Sequence, residues 1–485
     1  MSSGRCQNPV LRGFHPDPTV CRVGDLYVCV TSTFAYCPGL PIHVSTDLAH
    51  WSLVAHALPE APGLEQLGVG DGLYAPGLRH DGERFLLTCT IVDRKRQRFR
   101  NFVVTATDPA GPWSAPVFLP ENLGRIDPTP FIDDDGALYV VLNDLPPERV
   151  PNGGNRIIKL WQLDRESFAP MGEPSYLFDG ALKKAATPEA PRLYKRGGWY
   201  YLLIAEGGTG FSHAVTMARS RTIRGPYEAC PFNPVLTHRH LGPDVPLTCV
   251  GHADLVQSLD GAWWALALAT RPCAGAAILN RETVLLPVQW RDDHWPVFAP
   301  GVGQVLLETP HPAGPPLLRL PMAAPWLGLR GLSAAECEDG VLHLDARATP
   351  LESPTGVPAF AGLRLTEHHG HMVADVHLHD GARGGIALFA DDRSHVRIEV
   401  DAAQARVIVV ERGERRESPV FAAHERLGLS WSDAGTTAQI GEQNYRAADV
   451  QLLGKADFTG AVGAFFAIGE RGKLTAKNWS GENWG

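Results

Sequence analysis

Polar and apolar positions along the first three hundred or so residues follow one pattern five times. A polar or aromatic residue leads into a short alternating run. A Gly turn follows, then a second run dense in apolar and aromatic residues. The copies read HPDPTVCRVGDLYVCV from His15, YAPGLRHDGERFLLTC from Tyr74, IDPTPFIDDDGALYVVL from Ile126, PEAPRLYKRGGWYYLLI from Pro188 and GHADLVQSLDGAWWALAL from Gly251. Gly24, Gly82, Gly136, Gly197 and Gly261 mark the turns, so each copy predicts a β-hairpin. The copies recur roughly every fifty to sixty-five residues, a spacing that suits propeller blades. Further β-like runs lie between them, such as LPIHVSTDLAHW, NFVVTATDP, IIKLWQLD, HAVTMARSR and TVLLPVQW. Each repeat thus receives about four strands, as a blade requires. Trp51 and Tyr227, in outer turns, read as packing between blades.

From about residue 301 to 328 the chain turns Pro-rich and predicts an extended connector. Beyond it lie short alternating runs without the repeat, among them MVADVHLH, GGIALFADD, HVRIEVD, ARVIVVERG and AVGAFFAIG. Even spacing of short strands predicts a β-sandwich of the jelly-roll kind. The expected fold is all-β: a five-bladed propeller over 1–300, a linker over 301–328 and a sandwich over 329–485.

Composition narrows the function more than the fold. The 485 residues fit two domains, and 50 Gly and 40 Pro fit a turn-rich β protein. A net charge of −9 with no basic run argues against nucleic acid as a partner. No stretch reaches transmembrane length and no apolar leader is visible, so no membrane partner and a cytoplasmic location are expected. The nine cysteines are odd in number, scattered and free of Cys-x-x-Cys spacing. They read as buried thiols, with no zinc or redox motif.

The residues leading into the five hairpins carry the candidate chemistry. In a propeller the first strand of each blade lines the axis, so Asp17, Tyr74, Ile126 with Asp127, Glu189 and His252 converge at one end of it. Glycosidic hydrolysis needs two carboxyl groups flanking the scissile bond, ~6.5–9.5 Å apart when the outcome is inversion. One activates a water; the other must hold a proton, and a third carboxylate nearby would help it do so. Asp17, Asp127 and Glu189 supply that set. Taken singly, an Asp before Pro can be a turn residue alone; matched positions in repeated frames favour function. Asp133, Asp134 and Asp135, before Gly136, read as a solvated turn. His252 reads either as a core histidine or as a cation ligand beside the carboxylates. Arg281 reads as a salt-bridge arginine or a sugar contact. Phe34 and Tyr74 read as core or as the wall on which a sugar ring stacks. No organic cofactor is indicated: Gly207-Gly208-Thr209-Gly210 lacks the Lys of a phosphate loop.

Several stretches resemble glycoside hydrolase family 43, in its β-xylosidase/α-L-arabinofuranosidase branch with a C-terminal sandwich. They are GFHPDPTVCRVGDLYV, STFAYCPGLPIHVSTDLAHW, IDPTPFIDDDG, YYLLIAEGGTG, NPVLTHRHLG, GHADLVQ and LNRETVLLPVQW, in the family's order. The resemblance implies Asp17 as general base, Glu189 as general acid and Asp127 as the residue that raises and orients the acid. It implies sugar contacts from Arg281, Thr209 and Phe34. It also implies a cation in the central channel, usually taken as calcium, held partly by His252. The implied activity is inverting release of xylose from the non-reducing ends of β-1,4-xylo-oligosaccharides. The alternatives are an α-L-arabinofuranosidase on the same scaffold and a carbohydrate-binding propeller without catalysis. The partner is then a small oligosaccharide, and a homo-oligomer is compatible with such enzymes. Tyr74 stands where Trp is usual, Ile126 where an aromatic is common, and Ala190-Pro191-Arg192 where Gly-Pro-His is usual. The C-terminal KNWSGENWG ends near where relatives place a pocket-lining aromatic.

Overall fold

The structure is a computed structural model that describes residues 4–146, 155–181, 184–312, 322–332, 335–456 and 458–484. Five antiparallel sheets, each built from one continuous stretch of chain, form the blades of a propeller. The innermost strands are Thr19–Val23, Gly77–His80, Ile126–Ile132, Glu189–Arg196 and Thr248–Gln257. Each pairs with the second strand of its hairpin: Leu26–Val30, Phe85–Asp93, Leu138–Asp144, Trp199–Glu206 and Trp263–Thr270. The five expected hairpins are therefore the inner halves of the five blades. The turn glycines hold positive φ, from 57° at Gly24 to 99° at Gly82, where a side chain would be strained.

The second strands are buried almost throughout and mostly apolar because both faces of every blade are covered. Leu138, Val140 and Leu142 pack toward the second blade, while Tyr139 and Val141 pack toward the fourth. The propeller has five such inter-blade cores, one at each junction round the ring. Trp51 packs on the core between blades five and one, and Tyr227 on that between blades three and four. Asp133 departs from the solvated-turn expectation. Its carboxylate accepts from the Tyr200 hydroxyl at 2.6 Å and pairs with Lys195, tying blade three to blade four.

Among the described residues no strand from the N-terminus enters blade five. Arg5–Gln7 instead pairs with Glu308–Pro310, and the ring closes between blades one and five through side chains and the Leu11–Thr283 bridge. Asp254 is the centre of that closure. It accepts from Thr19 Oγ1 at 2.8 Å, the Val20 N–H at 3.0 Å and Tyr194 Oη at 2.6 Å, and it binds the Arg79 guanidinium twice, at 3.0 and 3.1 Å.

The C-terminal domain is a sandwich of two seven-stranded antiparallel sheets around one apolar core. The connector is not merely extended. Glu308–Pro310 and Gly328–Leu329 both pair with propeller strands, while residues 313–321 lie outside the described residues. The two domains share a core. Phe14, Phe34, Tyr36 and Val69 of the propeller pack with Leu329, Phe360, Phe389 and Phe466 of the sandwich. Among the described residues no helix is long and apolar enough to cross a membrane, and all nine cysteines are free, eight of them buried or half-buried.

Candidate active site

The strand starts at the axis are irregular, and the irregularity aims the functional side chains. Pairing slips between Ile126 and Thr129, between Glu189 and Arg192, and twice between Thr248 and Asp254. Such bulges re-aim side chains that a regular strand would send to its two faces. Asp17, Asp127, Ala190 and His252 all adopt left-handed backbone, with φ of 57°, 61°, 49° and 47°. That conformation costs non-glycine residues of the order of 1–2 kcal/mol each and concentrates at functional sites.

The eight residues singled out from the sequence all border one cavity of about 280 Å3: Asp17, Phe34, Tyr74, Asp127, Glu189, Thr209, His252 and Arg281. Asp17 is the most tightly held. Ser32 Oγ donates to its Oδ2 at 2.6 Å and Arg281 Nη1 to its Oδ1 at 2.7 Å; His252 Nδ1 lies 3.7 Å from Oδ1. Burial alone would raise this carboxyl, but Arg281, His252 and the Ser32 hydroxyl outweigh it and hold it below the ordinary aspartate value. Glu189 moves the other way: burial, then the charges of Asp127 and Asp17, raise it well above the ordinary glutamate value. Asp127 is also raised by burial and by Asp17, yet the Ala190 N–H donates to its Oδ2 at 2.9 Å and Arg192 and Arg281 oppose the rise. Asp127 and Glu189 titrate as a pair, and those opposing contacts favour the proton on Glu189.

Aromatic rings wall one side. Phe34 and Tyr74 lie 4.9 Å apart between centroids, and the Arg281 guanidinium sits 5.4 Å from the Phe34 centroid. The third ring is Phe458, stacked on Phe34 at 5.9 Å and 18°, and it comes from the sandwich. Its carbonyl accepts from Arg281 Nη2 at 3.1 Å. The segment docks closely: Ala461 N–H donates to the Ile278 carbonyl at 2.8 Å, and a Cβ on Gly460 would meet the Leu279 oxygen at 2.4 Å. Trp484, in the C-terminal phrase, lies elsewhere, buried in the sandwich core with its Nε1 donating to the Gly463 carbonyl at 2.8 Å.

Sequence reasoning missed Phe458, Arg94, Thr187 and His213 on the wall and Ser32 behind Asp17. Phe458 stands just before the AVGAFFAIG run of the second domain, and nothing in that run marks it as a site residue. Arg94 and Phe458 also border a second cavity, of about 390 Å3, between the domains.

His252 is buried, and burial, reinforced by Arg192 against the pull of Asp17, holds its imidazole down at about 3, so the ring is neutral. Its Nε2 faces Arg192 Nη2 at 3.4 Å. A separate group, Asp47, His50 and His311, could coordinate a metal ion: Asp47 Oδ2 lies 2.7 Å from His50 Nδ1 and 3.3 Å from His311 Nε2. None of the three borders the pocket.

One carboxyl that keeps its proton and another that stays ionised, facing a hollow just below the usual range of about 300–1,000 Å3, meet the needs of glycosidic-bond hydrolysis. The protein is by class a glycoside hydrolase. The pattern of the glycosyl hydrolases family 43 matches residues 6–296, and the chain belongs to that family. A "Xylosidase/arabinosidase" of Butyrivibrio fibrisolvens is 37% identical over 443 residues, covering 85% of this chain and 84% of the relative. A "Non-reducing end alpha-L-arabinofuranosidase" of Bacteroides ovatus is 41% identical over 302 residues, covering 60% of this chain and 53% of the relative. The crystal structure of a xylan β-1,4-xylosidase from Bacillus halodurans superposes with a TM-score of 0.88 at 28% identity, covering 98% of this chain and 100% of the other. The chain thus lies in the xylosidase/arabinofuranosidase branch of that family.

Proposed function

We propose that the protein is an inverting exo-glycosidase that releases xylose from the non-reducing ends of β-1,4-xylo-oligosaccharides. The observation that carries this reading is the opposite displacement of two carboxyls in one pocket: Asp17 lowered, Glu189 raised. Asp17, ionised and fixed by Arg281 and Ser32, takes a proton from a water as that water's oxygen attacks the anomeric carbon. Glu189 gives its proton to the departing glycosidic oxygen, and the product sugar leaves with inverted configuration. Asp127 keeps the proton on Glu189 by its negative charge, while its bond to the Ala190 N–H fixes its own position beside the acid. Phe34, Tyr74 and Phe458 offer the apolar wall for one ring. Arg281 and Thr209 supply polar contacts to its hydroxyls. The small cavity favours removal of single terminal sugars over an open cleft.

The second reading is an α-L-arabinofuranosidase, alone or beside xylosidase activity. The Bacteroides ovatus relative's name supports it, as do Tyr74 where the family usually carries Trp, Ile126 where an aromatic is common and Arg192 where His is usual. Hydrolysis of 4-nitrophenyl β-D-xylopyranoside beside 4-nitrophenyl α-L-arabinofuranoside, with the anomers followed by NMR, decides between them. Dominant xyloside turnover with α-xylose formed first supports the proposal. Dominant arabinofuranoside turnover moves the function to the second reading, and β-xylose formed first removes inversion.

A further inference from the structure

The cation that family resemblance places in the central channel does not fit the residues found there. Its site is filled by a side chain. The Arg192 guanidinium is completely buried at the axis beneath the three carboxyl groups. It donates to Thr129 Oγ1 on blade three and to the Pro76 carbonyl at 2.8 Å, just before blade two. Its Nη2 faces His252 Nε2 at 3.4 Å on blade five, and its Nε lies 3.5 Å from Asp254 Oδ2. A hard divalent cation would need oxygen ligands at about 2.3–2.6 Å. Here the Thr129 hydroxyl and the Pro76 carbonyl already accept from the arginine. A guanidinium only donates, so His252 Nε2 is the acceptor and the ring proton sits on Nδ1, toward Asp17. Both Asp254 oxygens are also engaged, by Thr19, Val20, Arg79 and Tyr194.

Charge gives the same answer. With one proton on the Asp127–Glu189 pair, the ionised carboxylates at the axis are Asp17, Asp127 and Asp254. The guanidiniums facing them are Arg79, Arg192 and Arg281. Three stand against three, and a divalent ion would add an uncompensated double charge beside Arg192.

We infer that Arg192 is the resident cation of this propeller. It replaces a metal ion as the positive charge that braces His252 and Asp127 from below, and it makes the enzyme independent of divalent metals. Arg192 is a positioning residue: it acts on the reaction through Asp127 and His252 and does not border the sugar pocket. This inference rests on the glycosidase reading for its kinetic part only; metal content is read without any substrate.

The test begins with metal analysis of the full-length protein purified without chelator, followed by exhaustive EDTA dialysis. Far less than one divalent ion per chain, with unchanged kcat/KM and Tm after dialysis, supports the inference. One tightly held divalent ion in the channel, lost together with activity, overturns it. Arg192→His and Arg192→Lys are then compared. Arg192→His should lose about ten- to a hundred-fold in kcat/KM and should regain activity and Tm on adding calcium, to which the wild type does not respond. Its alkaline limb should move up by about one pH unit as the Asp127–Glu189 pair loses a nearby positive charge. Arg192→Lys, which keeps the charge, should hold the wild-type pH profile. A folded Arg192→His with wild-type kcat/KM and pH profile in EDTA would also overturn the inference. If that variant does not fold, the wild-type metal content and the Arg192→Lys profile still decide.

Discussion

At the scale of single residues, the site works by setting carboxyl groups of the same chemical kind to different acidities. Activity falls as pH drops through the lowered Asp17 value, because the base takes up a proton. It falls again as pH rises through the raised Glu189 value, because the acid loses one. The bell-shaped profile of kcat/KM should therefore have an acid limb below the ordinary aspartate range and an alkaline limb above the ordinary glutamate range. Arg281→Gln removes the charge bonded to Asp17 and should move the acid limb up by about one unit or more, as read from the acid side of the kcat/KM profile. Glu189→Ala should cost about 10²- to 10⁴-fold on xylobiose. It should spare much of the turnover of aryl glycosides, whose leaving groups need no proton, and that residual activity should lose the alkaline limb. Equal losses on both substrates would remove Glu189 from the general-acid role. The three carboxylates were legible in the sequence because each repeats a position within a frame. Phe458 was not legible as a site residue, because it stands in a sandwich loop with no frame to compare. Arg192 was visible only as a departure from His; that its side chain turns into the axis and not outward depends on the slip in pairing after Glu189, which no spacing reveals.

At the scale of elements, the five hairpins could be read from Gly turns and period-two runs because local chemistry alone produces them. What joins the elements could not. The closing of blade five on blade one depends on Asp254 meeting Thr19 and Val20, partners more than two hundred residues away in sequence. The connector's Pro-rich composition likewise gave no hint of its pairings with Arg5–Gln7 and with Tyr36–Cys37. Residues 458–461 are the element through which the sandwich reaches the pocket, and Gly460 allows the approach. Gly460→Ala would place a methyl 2.4 Å from the Leu279 oxygen. It should cost about 1–3 kcal/mol of stability and raise KM more than it lowers kcat, since Phe458 is displaced while the carboxylates stay. Urea unfolding and steady-state kinetics measure the two effects; an unchanged KM would mean that Phe458 does not touch the substrate.

At the scale of the whole molecule, the sandwich is part of the enzyme's structure and not a tethered accessory. Its Phe360, Phe389 and Phe466 complete a core that Phe14, Phe34 and Tyr36 of the propeller begin. A chain ended at residue 312 would expose that apolar surface. It should be aggregation-prone and without measurable glycosidase activity, as gel filtration and xyloside assay would show; a soluble, active propeller would disprove the shared core's importance. The same arrangement has a consequence for how the protein is made. The ring's one seam, between blades one and five, carries Asp17 on one side and Arg281 on the other, and the sandwich grips both sides, at Phe14 and at Ile278–Arg281. A ribosome delivers the blades in order, each complete in itself, and delivers the clasp last. Until residues 458–466 emerge, that seam is held by the propeller's own contacts alone and the pocket wall lacks its third ring, Phe458. The finished active site is therefore an event of late translation, although its first residue is among the earliest made.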